Sequence, residues 1–191
     1  MSWPSATVDV LYAIHTNHTA EDLKEWMLPL YIQLEGGSRI RTDKIRHNDN
    51  VNVTFTTGKN RLVVGAEITG DYANYDERKL LSWCRRYFQN ATNRDLLPVK
   101  TEIMYSSVTI NAGHEIEFFQ SVADTYCEGH GFVYSSYDKF HCPIPIPESS
   151  WSIHKSGVFI FNDKSHNVVE KANKAIGAFT EFMEVYNAAQ M

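Results

Sequence analysis

Val51-Asn52-Val53-Thr54-Phe55-Thr56-Thr57-Gly58-Lys59-Asn60-Arg61-Leu62-Val63-Val64-Gly65-Ala66-Glu67-Ile68-Thr69 is the stretch that decides the fold class. Val51, Val53 and Phe55 alternate with Asn52, Thr54 and Thr56, the two-residue period of a strand with one buried face. Gly58, Lys59 and Asn60 interrupt the run with turn formers, and Arg61 to Thr69 resumes it. The stretch therefore predicts an antiparallel hairpin.

Upstream, Ser38 to His47 reads as extended, with Arg39, Arg41 and Asp43 on one face and Ile40, Thr42 and Lys44 on the other. Thr7 to His15 reads as a strand, and Thr19 as a helix N-cap with Asp22 three residues on. Leu23, Trp26, Met27, Leu30 and Leu34 follow at helical spacing up to Gly36-Gly37. Pro29 should kink or split that helix, because it offers no N–H.

Downstream, Leu80, Leu81, Cys84, Tyr87 and Phe88 make the apolar stripe of a helix over about Asp76 to Gln89. After Leu97-Pro98, Val99 to Ile110 reads as a long strand. Ile116, Phe119, Val122, Ala123 and Tyr126 suit a third helix ending near Gly129, and Gly131 to Ser135 a short strand. Residues 137–156 read as an irregular arm centred on Pro143-Ile144-Pro145-Ile146-Pro147, since alternate prolines fit neither a helix nor a central strand. Gly157 to Phe161 reads as a buried strand. Val168, Ala172, Ala175, Ile176, Phe179, Phe182, Met183 and Tyr186 mark a long amphipathic helix from Asp163 to Ala189.

These elements imply an α+β fold: mainly antiparallel sheet covered by about four helices, in one domain spanning 1–191. The order of strand, helix, strands, helix occurs twice, and Val10-Leu11-Tyr12-Ala13 is matched by Ile103-Met104-Tyr105-Ser106. The expectation is a pseudo-duplication with halves 7–96 and 99–191.

With 43% hydrophobic and 21% charged residues over 191 positions, the composition is that of a globular chain. The net charge is −5, which argues against a nucleic-acid partner that rewards a basic surplus. Residues 36–61 reverse the trend: Arg39, Arg41, Lys44, Arg46, Lys59 and Arg61 stand against only Asp43 and Asp49. Three cysteines, Cys84, Cys127 and Cys142, point to a reducing compartment rather than a disulfide framework. With no signal-peptide pattern and no apolar run of membrane-spanning length, the expectation is a soluble, acidic, cytoplasmic protein with no membrane partner.

No motif specifies a chemistry. Cys127 and His130, followed by His141 and Cys142, are the candidate metal ligands. Adjacent residues of an extended segment point apart, so His141 and Cys142 do not make a second chelating pair, and neither metal nor cofactor is expected. Cys84 lies on an apolar stripe and reads as packed rather than nucleophilic. His15 and His18 read as connector residues.

What stands out belongs to recognition. The cationic residues Arg39, Arg41, Lys44 and Arg46 could steer a partner, and the aromatics Tyr137, Phe140 and Trp151 flank the proline arm as interface anchors. The expectation is a protein-binding module rather than an enzyme, in the manner of a stoichiometric inhibitor or immunity-type protein that neutralises a toxin or defence nuclease. A small hydrolase-like enzyme using His, Cys or carboxylate residues is the alternative, and a structural subunit of an assembly the third.

Overall fold

The computed structural model describes residues 6–32, 41–116, 133–136, 139–141, 149–163, 165 and 167–189. By its packing the chain divides into two units, Asp9–Ser106 and a second formed by Met1–Val8 with Ser107–Met191. Both are α+β. Strands β1 (Ala6–His15) and β7 (Lys100–Asn111) have residues in each unit.

In the unit 9–106, β2 is Tyr31–Ile32, β3 Arg41–Thr42, β4 Ile45–Asn48, β5 Val51–Gly58 and β6 Arg61–Thr69. The sheet order is β4-β5-β6-β1-β7, and β2 pairs with β3 separately. The hairpin of β5 and β6 is antiparallel with Thr54 opposite Gly65 and Gly58 opposite Arg61. That leaves a two-residue loop, in which Asn60 takes a left-handed conformation at φ 54°. Of the extended reading of Ser38 to His47, residues 38–40 lie outside the described residues, and the rest forms two short strands, β3 and β4, with Asp43 and Lys44 between them. Thr42 is buried, and its Oγ1 accepts the Phe55 N–H at 2.7 Å.

Helix α1 (Ala20–Met27) starts where the Thr19 Oγ1 accepts the Asp22 N–H at 3.1 Å. The α-helix ends before Leu30, in keeping with the break expected at Pro29, and Leu34 lies outside the described residues. The Leu28 N–H closes on the Glu25 carbonyl, and a 3₁₀ turn over Leu28–Leu30 follows. Pro29 has no N–H with which to continue an α-helical ladder. Helix α2 (Glu77–Thr92) is capped by the Asp76 carboxylate on the Lys79 N–H and ends at Asn93, which is left-handed. Its stripe of Leu80, Cys84 and Phe88 is fully buried.

Both helices lie on the face of the sheet that carries Val53, Phe55, Leu62 and Val64. Helix α1 packs on β5 and β6. Tyr87 of α2 meets Phe55 at 5.9 Å between ring centres. Tyr12 and Tyr75 share a hydrogen bond between hydroxyls, and burial raises both above the ordinary tyrosine range.

In the second unit, β8 is Val133–Ser136, β9 Lys139–His141, β10 Ser149–His154 and β11 Val158–Asp163. The order is β7-β11-β10-β9-β8, with every pair antiparallel. The expected irregular arm over 137–156 is corrected here: 139–141 and 149–154 are strands. Their pairing partners are β8 and β11, so the hydrogen bonds that make them strands are not visible in their own composition. Gly157 turns β10 into β11 at φ 90°, and a Cβ there would lie 2.3 Å from the His114 carbonyl oxygen.

Helix α3 (Val168–Ala189) lies along this sheet, with Phe179 on Phe159 and Phe182 on Trp151 at 5.4 and 5.6 Å between ring centres. Residues 117–129 of the third helix expected from Ile116 to Gly129, and the proline centre at 143–147, fall outside the described residues. Among those described, no helix is long and apolar enough to cross a membrane.

Candidate functional site

Burial alternates along β1 from Ala6 to Tyr12, with Ala6, Val8, Val10 and Tyr12 buried, and beyond it Ala13 and Ile14 are both buried. Asp9 and Leu11 consequently turn to the side of the sheet away from α1 and α2. The hairpin register brings Thr54 and Gly65 together on that same side, with Asn52 opposite Glu67. Leu11 is 38% exposed and Tyr105 of β7 is 48% exposed. The face is thus a rigid strand platform that offers apolar and aromatic surface to solvent.

A groove of about 320 Å3 runs over Gly65, bounded by Asp9, Leu11, Lys44, Glu67 and Tyr105. Its floor exists because residue 65 has no side chain. A Cβ there would sit 2.8 Å from the Thr54 Oγ1 and 3.5 Å from the Leu11 Cδ2. Two carboxylates face one ammonium. The Lys44 Nζ sits 3.2 Å from the nearer Glu67 oxygen, while Asp9 has neither hydrogen bond nor ion pair among the described residues. Burial, and then the Glu67 charge, hold the Asp9 carboxyl above the usual carboxylate range, with Lys44 opposing.

A second concavity of about 290 Å3 lies between the Asn48–Asn50 turn and Asp71, Asn74 and Tyr75. Its polar groups largely satisfy one another: the Asn74 Nδ2 donates to Asp71 at 2.7 Å, and the Asn50 N–H donates to Asn48 at 2.8 Å.

The residues singled out in the sequence are dispersed. Lys44 borders the groove, and Arg46 pairs with Asp49. Arg41 lies in β3 opposite Ile32. Phe140 sits in β9 opposite Ile153 and Tyr134, and His141 opposite Ser152. Trp151 is 7% exposed and packs on Phe159 and Phe182, so its ring belongs to the core of the second unit. Arg39, Tyr137, Cys127 and His130 lie outside the described residues. Burial pushes the Cys84 thiol up to about 12, as its place on the apolar stripe implied.

Asp9, Leu11, Gly65, Glu67 and Tyr105 were not singled out from the sequence as site residues. A signal was available in one of them: a glycine inside a strand marks a bulge or a place where another group approaches closely.

No protein-family model matches the chain, and no curated protein matches it. Among solved structures it is similar to Methanococcus jannaschii TBP at 17% identity, over 95% of this chain and 98% of that one, with a TM-score of 0.49.

Proposed function

We propose that this chain is a protein-binding module that acts by stoichiometric association, in the manner of an inhibitor that covers a basic surface of its target. The observation that supports the reading is the uncovered face of the 9–106 sheet. It combines exposed Leu11 and Tyr105 with an acidic groove on a scaffold fixed by the hairpin and two helices. Interfaces of this kind place aromatic and aliphatic anchors beside charges that fix the register. The cationic residues Arg39, Arg41, Lys44 and Arg46 are a separate contact in this proposal, toward acidic groups of the partner, and of the four Lys44 borders the groove. Tyr137 and Phe140 remain its aromatic contacts.

The test is a tagged pull-down from the native host's extract with the full chain and with a Leu11→Ala/Tyr105→Ala variant. One partner near one-to-one should be retained by the natural chain and lost by the variant at unchanged melting temperature. Equal retention by the variant removes this face from consideration.

A further inference from the structure

Gly65 sits in the interior of β6, opposite Thr54, and its φ lies outside the left-handed region. The backbone there does not require a glycine, and a glycine inside a strand weakens it. What the missing side chain provides is space, because a Cβ would press on the Thr54 Oγ1 at 2.8 Å and fill the room beside Leu11. The groove so opened has an apolar wall, Leu11 and Tyr105, and an acidic end, Asp9 and Glu67.

That combination matches one kind of side chain. Lysine and arginine lay an aliphatic stem along apolar surface and keep the charged head in a polar setting. A cation near a tyrosine face gains further attraction. We infer that the groove over Gly65 seats a lysine or arginine side chain of the partner protein, its stem along Leu11 and Tyr105 and its cationic head against Asp9 and Glu67. The inference rests on the binding-module reading and names the chemistry its partner presents.

The charge balance supports this occupant over an acidic one. Lys44 is already engaged by Glu67, so an incoming anion would meet Asp9 without a free counter-charge. An incoming cation completes Asp9 and shares Glu67 with Lys44. Burial, and then the Glu67 charge, already favour the protonated form of Asp9, and a second cation would oppose both.

The experiment is an amide NMR titration of the full chain with three probes: Nα-acetyl-arginine amide, Nα-acetyl-lysine amide and the neutral Nα-acetyl-norleucine amide. The cationic probes should give saturable shifts at Leu11, Thr54, Gly65 and Glu67, and the neutral probe should not. Asp9→Asn should weaken the cationic probes by about tenfold, the scale expected when a charge pair is reduced to a neutral contact. Gly65→Ala should remove the saturable shifts. If Gly65→Ala fails to fold, the isosteric Asp9→Asn still decides the matter.

Equal shifts from the neutral probe, or unchanged affinity in Asp9→Asn, overturn the inference. The two readings separate cleanly. A partner kept by Asp9→Asn but lost by Leu11→Ala/Tyr105→Ala leaves the docking face standing and removes the cationic groove. A partner kept by both removes the docking face itself.

Discussion

Lys171 shows how much a single side chain can depart from its pattern. It lies in the first turns of α3 and is 1% exposed, among alanines and phenylalanines that the helical period places inward. Its Nζ donates to the Asn162 Oδ1 at 3.0 Å and stands 3.5 Å from Asp163. Burial draws the ammonium below the ordinary lysine range, and Asp163 opposes that shift. Removing one partner of a buried pair is costlier than replacing it by apolar bulk. Asp163→Ala should therefore cost about 3–5 kcal/mol, because the buried ammonium loses that carboxylate. Lys171→Met should stay within about 1 kcal/mol of the natural chain. In that variant Asp163 still holds the Ser165 N–H at 3.0 Å and Lys174 at 3.5 Å. Denaturant midpoints of both single variants and the double variant check this. The expected signature is a loss from Asp163→Ala that shrinks markedly in the Lys171→Met background.

At the scale of elements, what was legible is what local sequence controls. The β5–β6 hairpin could be read because its alternation and its turn lie within one continuous stretch. The N-cap at Thr19 could be read because capping needs only four neighbouring residues. Strands β9 and β10 could not be read, since Ser149, Ser150 and Lys139 have no strand preference of their own and owe their state to partners elsewhere. The turn itself carries a finer lesson. Gly58 signals it, yet Gly58 ends the strand, and Asn60 is the residue at positive φ. Asn60 also accepts the Thr16 N–H at 2.8 Å and donates through Nδ2 to the His18 carbonyl at 2.7 Å. It thereby ties the hairpin to the segment between β1 and α1. Asn60→Gly keeps the conformation but loses the side-chain bond, for a cost of about 1 kcal/mol. Asn60→Val loses the bond and adds left-handed strain, for about 2–3 kcal/mol in total. Thermal unfolding of the two variants orders them, and an equal loss in both would show that the conformation contributes nothing.

Over the whole molecule, the sequence disclosed the charge but not where the charge would act. The sum of −5 and the cationic surplus over residues 36–61 follow from counting. The acidic groove depends on β1, β6 and the segment before β4 meeting on one face, which no count reveals. The two levels nevertheless act together on a basic partner. A negative body draws such a partner in over distances comparable with the screening length, about 8 Å at physiological salt, while the groove acts only at contact. Raising salt from about 0.05 to about 0.5 M should then slow association by roughly tenfold and change dissociation much less. Charge reversal at an exposed position outside the groove, such as Glu184→Lys on α3, should lower the association rate alone. Asp9→Asn should act chiefly on dissociation, because a groove contact is broken only when the complex separates. Surface plasmon resonance across that salt range separates the two effects. An association rate indifferent to salt would mean that the partner's contacting surface is not basic, and the acidic groove would lose its role in recognition.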